Sequence, residues 1–160
     1  IMNIFYLDRD PHEAARLQCD KHVVKMILET AQLLSTAHNE LDGGQIAYKT
    51  THKNHPSAVW ARKSLDNYNW LYRHLEGLGR EYTKRYGKTH LSIQKHSQSL
   101  SEPPRAIPSD DFSDPPQCMP DECKREDAVL AYMVYYNYKA DQWAENGSPM
   151  KWRGQTNEYL

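Results

Sequence analysis

Apolar residues recur at three- and four-residue steps along much of this chain, so helices are the expected elements. The firmest signal is Asp10-Pro11-His12-Glu13. Asp10 can cap orphan amides, Pro11 suits a first helical position and Glu13 completes a capping-box pattern. A long helix is predicted from there to about His38, and Asp42-Gly43-Gly44 ends any continuation. Ahead of it, Met2-Asn3-Ile4-Phe5-Tyr6-Leu7 reads as a short apolar lead-in, either a strand-like stub or an arm packed on the core.

A turn at Asn54-His55-Pro56 precedes a second helix from near Ser57. Trp60, Ser64, Tyr68, Leu71, Leu75, Leu78 and Tyr82 recur along it at helical spacing. Gly77 and Gly79 weaken it and point to close helix packing or a bend, and Gly87 is its stop. A further turn of helix is expected at 89–99. Residues 100–120 hold six prolines, too many for a helix or a central strand, and read as an extended loop wrapping the domain. A last helix is expected from about Asp121 to Asn146, with Tyr132, Tyr135, Tyr136 and Tyr138 mostly facing the core. The sum is an all-α fold: one compact helical-bundle domain over 2–160, with a long N-terminal helix and a Pro-rich wrapping loop.

Length and composition narrow the class. At 160 residues, 39% hydrophobic and 26% charged, the chain suits one folded domain rather than a disordered one. No apolar run approaches the roughly 18 residues of a membrane span, and no secretory leader pattern is seen. Ile1 is read as an addition ahead of Met2, the natural start. Cys19, Cys118 and Cys123 form no CxxC pair, so reduced thiols and a cytoplasmic setting are expected.

The net charge of −1 hides a segregation. Residues 49–96 hold ten Lys or Arg against three acids, a balance of +7, and five histidines. Residues 100–127 hold eight acids against three basic residues, a balance of −5. The middle segment can attract a polyanion, or it can be a solvated face beside an acidic neighbour.

Chemistry concentrates on the first helix. At about 100° per residue, Lys25, Glu29, Gln32 and Thr36 fall on one narrow stripe with His22. Val23, Val24, Met26, Ile27, Leu28, Ala31, Leu33 and Leu34 cover most of the remaining circle, so much of the helix is expected to be buried. Charges there must pair or line a cleft. An apolar surround can raise a carboxylate towards neutrality, which makes Glu29 a candidate proton carrier. His22, two turns earlier, could orient substrate or move a proton. The competing reading is a buried structural network of Lys25, Glu29 and Gln32. Asp20, four residues after Arg16, reads as a structural ion pair.

His52, His55, His90 and His96 lack a compact metal-ligand spacing and sit among lysines, and Asp8, Asp10 and Asp20 are scattered, so neither metal nor cofactor is expected. Cations interleaved with aromatics suit nucleic acid better. The candidate DNA contacts are Lys21, Lys25, Lys53, His55, Arg62, Arg73, His74, Lys84, Arg85 and Lys88. Trp60 and Trp70 are expected in the core.

These residues together resemble the pyrimidine-dimer DNA glycosylase (endonuclease V-like) family. Met2-Asn3-Ile4-Phe5 is similar to that family's N-terminal arm. Asp20-Lys21-His22, with Glu29 seven residues after the histidine, resembles its Asp-Gln-His followed by the catalytic glutamate. Asn54-His55-Pro56, and Trp70-Leu71 through Glu81 to Gly87, are similar to its His-Pro turn and second long helix. The resemblance implies an all-α enzyme in which an α-amine attacks the sugar C1′, a Schiff base forms, and the glutamate assists the proton transfers of β-elimination. It assigns Glu29 and the Met2 amine as catalytic, with His22 beside them, and DNA as the partner without any membrane. The expected function is a DNA glycosylase, with AP-lyase activity, for a damaged or modified pyrimidine. A non-enzymatic nucleotide- or nucleic-acid-binding protein and an enzyme on modified nucleotides stay open as alternatives.

Overall fold

The computed structural model describes residues 2–156; Ile1 and residues 157–160, inside the expected domain boundary, lie outside them. Six helices follow in order, with no strand among the described residues: α1 (Pro11–Arg16), α2 (Asp20–Asp42), α3 (Pro56–Ala61), α4 (Leu65–Tyr86), α5 (Leu91–Leu100) and α6 (Ala128–Glu145). The fold is all-α, as the periodicity predicted. No helix is long and apolar enough to cross a membrane.

The expected first helix is two helices. The Asp10 carboxylate accepts from the Glu13 N–H at 2.8 Å, as a cap should. Glu13 does not close the box: its carboxylate binds Arg16, and the Asp10 N–H donates to Asp8. The chain then breaks at Leu17–Cys19 because distant groups take the carbonyls that end α1. Arg85 donates to the carbonyls of Arg16 at 2.9 Å and Gln18 at 2.7 Å, and the Trp152 indole donates to that of Leu17 at 2.8 Å. No local pattern could reveal this. The restart, α2, runs four residues past His38 and ends at Gly43, whose φ of 78° suits glycine.

The second predicted helix also divides. Ser64 is not a turn position within it but the N-cap of α4, accepting from the Asn67 N–H at 3.1 Å. Gly77 and Gly79 do serve close packing: a Cβ on Gly77 would lie 3.0 Å from the Ala15 Cβ and 3.1 Å from the His12 Cα, and one on Gly79 would meet Ile93. The last helix starts later than expected. A single 3₁₀ turn covers Asp121–Cys123, and α6 begins only where Asp127 caps the N–H groups of Val129 and Leu130.

Residues 2–7 form a buried arm, not a strand, and pack on the core beside α2 and α6. Trp60, Trp70, Tyr68, Tyr132 and Tyr136 are core residues, while Tyr135 and Tyr138 are only half-buried. The Pro-rich loop wraps as expected. It is tied down by Leu65 N–H to the Pro108 carbonyl, Trp60 Nε1 to the Ser113 carbonyl, Ser113 N–H to Asn67 Oδ1, and the Arg105 and Ala106 N–H groups to Asp42.

Candidate active site

The polar stripe of α2 opens onto a pocket of about 680 Å³. Val24, Lys25, Leu28, Glu29 and Gln32 form one wall, and Met2 enters from the buried arm. Tyr48 and His52 come from the α2–α3 loop, and His90, Leu91 and Ser92 from the start of α5. Met2 and Glu29, linked at first only by resemblance, therefore share one cavity.

Glu29 is held unevenly. Its side chain is 14% exposed, and Oε2 lies 3.6 Å from the Lys25 Nζ, whose side chain is 64% exposed. Oε1 is buried with no hydrogen-bond partner. A buried network would satisfy both oxygens; this one leaves an acceptor in reserve. The helix is also less buried than its sequence suggested. Val24 and Leu28 are each 40% exposed, because they face the cavity rather than the core.

His22 does not join Glu29. It faces a smaller neighbouring pocket of about 230 Å³, lined by Asn3, Phe5, His22, Lys25, Met26, Tyr135 and Lys139. Its ring stacks on Phe5 with centroids 4.2 Å apart, and Nδ1 lies 2.7 Å from the Tyr136 hydroxyl. That hydroxyl already accepts from the Cys19 N–H, which leaves its proton for a neutral imidazole. Burial, with help from Lys139 and Lys25, pushes His22 down to about 3. Such a group positions its neighbours and does not carry protons near neutrality. Burial, then Lys25, lowers Lys139 as well.

The expected DNA contacts divide sharply. Lys21, Lys25, Lys53, Arg73, Lys84 and Lys88 are exposed. Arg62 is half-buried and donates to the Lys53 carbonyl, and His55 accepts from the Ser57 N–H as the N-cap of α3. His74 and Arg85 are not available for phosphates. His74 is fully enclosed between Gln18 Nε2 and the Pro11 carbonyl, and burial pushes it down to about 4. The Arg85 side chain is 1% exposed and bridges Asp20 at 3.1 Å and Glu81 at 3.0 Å.

Asp20 is a structural ion pair, but its partner is Arg85, since Arg16 is taken by Glu13. The Asp20 carboxylate also accepts from the N–H groups of Arg153 and Gly154, pinning the C-terminal segment to the start of α2. No set of three His, Cys, Asp or Glu side chains gathers as metal ligands among the described residues, and the three cysteines are unpaired. Tyr48, His52, His90, Leu91 and Ser92 were not legible as cleft residues. Their only signal was two histidines in a basic segment, and nothing local showed that they face Glu29.

A family model described as pyrimidine dimer DNA glycosylase matches residues 2–94, more than half of the chain. Every residue lining the Glu29 pocket lies within that segment, whereas Tyr135 and Lys139 of the smaller pocket lie beyond it. No curated protein and no solved structure matches.

Proposed function

This chain belongs to the pyrimidine dimer DNA glycosylase family, and we propose that it excises a damaged or modified pyrimidine at the Glu29 pocket and then cleaves the strand as an AP lyase. The observation that carries this reading is the meeting of Met2, Lys25 and Glu29 at one cavity formed wholly by the matched segment.

In a chain starting at Met2, the α-amine belongs to a residue of the pocket lining. Such an amine has a pKa of about 7.7–8.0, so a useful fraction is neutral at physiological pH. Its lone pair attacks C1′, the C1′–N bond breaks, and the base leaves with the bonding pair and takes up a proton. Opening of the sugar ring gives an imine between the amine and C1′. Glu29 removes a proton from C2′, and the 3′ phosphate departs by β-elimination. Hydrolysis of the imine returns the free amine. Lys25, beside Glu29, is the second candidate amine. Lys21, Lys53, Arg62, Arg73, Lys84 and Lys88 are the proposed phosphate contacts, with Lys25 at the pocket rim.

The test is a panel of duplexes, each carrying one defined pyrimidine lesion or modified pyrimidine, assayed for base release and strand cleavage. Base release from at least one member supports the reading. Salt-dependent binding to all of them without base release from any would replace it with a nucleic-acid-binding protein.

A further inference from the structure

We infer that the Glu29 pocket receives one unstacked base and that His52, held on its rim in a left-handed backbone conformation, reads the edge of that base. The inference rests on the DNA-glycosylase reading and adds to it the residue that selects the base.

The first support is the character of the walls. Val24 and Leu28 are each 40% exposed and Leu91 is 58% exposed, and all three line the same concavity. Grouped exposed aliphatic side chains around a cavity mark a ligand surface. A planar heterocycle presents two apolar faces to such walls and a polar rim to whatever lies at the edge.

The second is how His52 is presented. Its φ is 49°, a conformation that residues other than glycine adopt at a steric cost and that concentrates at functional positions. The residue before it is tied to α2 by a reciprocal pair of hydrogen bonds. The Thr51 N–H donates to the Thr36 hydroxyl at 3.2 Å, and that hydroxyl donates to the Thr51 carbonyl at 3.4 Å. Thr36 lies two turns beyond Glu29 on the same stripe, so one helix sets both the carboxylate and the His52 loop. The Thr51 hydroxyl then holds the ring through Nδ1 at 2.8 Å. Nε2 is left as the second polar atom of the ring, able to donate or accept according to tautomer.

The other hydroxyl and imidazole groups of the lining are more occupied. The Tyr48 and Ser92 hydroxyls lie 2.6 Å apart and satisfy each other, and His90 Nδ1 accepts from the Ser92 N–H. The His90 ring also bonds the Val24 backbone, so His52 is the lining histidine with a fixed ring and a spare ring nitrogen.

The experiment measures equilibrium affinity, in a Glu29→Gln background that stops turnover, for two matched duplexes. One carries the best-bound pyrimidine lesion, and the other a tetrahydrofuran abasic analogue at the same position. The unaltered His52 protein should prefer the base-bearing duplex. His52→Ala should lose that preference by about 10-fold, the scale of one lost hydrogen bond to a buried edge, with affinity for the abasic duplex unchanged. His52→Asn, which tolerates the left-handed conformation and keeps a hydrogen-bonding group, should restore part of it. Equal loss on both duplexes, or no loss on either, would overturn the assignment, as would a His52 protein that shows no preference. The parent reading is judged separately, by base release with Glu29 intact. A retained His52-dependent preference without base release would sink the glycosylase and keep the base pocket; base release indifferent to His52→Ala would do the reverse.

Discussion

The Lys25 ammonium and the Glu29 carboxylate face each other across 3.6 Å, one turn apart on α2, and leave the second carboxylate oxygen buried without a hydrogen-bond partner. A buried acceptor left open costs stability, and such groups collect where a protein meets a substrate. The contact therefore occupies one carboxylate oxygen and leaves the other open.

Glu29→Gln should fold and bind duplex DNA as the parent does, while base release and strand cleavage fall by about 100-fold or more, as on removal of a general acid or base. Circular dichroism, anisotropy and single-turnover cleavage check the three parts. A soluble, folded variant with unchanged turnover removes Glu29 from the mechanism. Loss of folding favours the structural network instead.

Borohydride should trap enzyme and substrate as a stable amine adduct, since reduction converts the imine into a bond that cannot hydrolyse. The adduct is expected from a chain that starts at Met2 and should weaken when residues precede it. Peptide mapping decides the atom: an adduct on Lys25, lost in Lys25→Ala, moves the nucleophile but keeps the imine. Base release with no adduct in any form means that water is the nucleophile.

Arg85→Ala should destabilise the protein by about 3–5 kcal/mol, because it leaves the carboxylates of Asp20 and Glu81 without their shared cation at a largely buried site. It should leave the salt dependence of DNA binding unaltered. Lys53→Ala or Lys84→Ala should do the opposite, lowering the log–log salt slope by about 1 per lost phosphate contact without altering the urea midpoint. A steep loss of the slope in a folded Arg85→Ala protein would reverse this assignment.

Acid should unfold the protein through His22 and His74. Both are held neutral, pushed down to about 3 and about 4 from an ordinary 6.5. The unfolded chain then binds protons that the folded one refuses, so stability is full above about pH 6.5 and falls as the pH drops towards the folded values, by on the order of a few kcal/mol per histidine. Urea midpoints at pH 7 and pH 4.5 give the slope. His22→Gln should flatten it. An unchanged slope in that variant would mean that His22 does not titrate on unfolding.

Local signals were enough wherever the controlling partner is close in sequence. Asp10 caps α1 because its carboxylate needs only the next three residues, and the buried pair Tyr132 and Tyr136 is readable because a helix repeats every 3.6 residues, whereas Tyr135 and Tyr138 are only half-buried. The prolines of 100–120 exclude regular structure through their own rings and missing N–H groups. The narrow stripe on α2 likewise marked Glu29 and Lys25 by angle alone. On these grounds the sequence by itself determined an all-α chain, its wrapping loop and the polar helix face that lines the pocket.

Only the tertiary structure decided what that face meets. The break between α1 and α2 depends on Arg85 and Trp152, whose donors come from 67 and more residues away along the chain. Arg85 and His74 looked like phosphate contacts because charge along a sequence does not reveal its buried partners. His22 and Glu29 share a stripe, yet Phe5 and Tyr136 draw the histidine into a separate chamber, while His52, His90 and Leu91 close around the glutamate. Side-chain angle on a helix is a local property, but burial and partnership are set by segments that only the folded chain brings together.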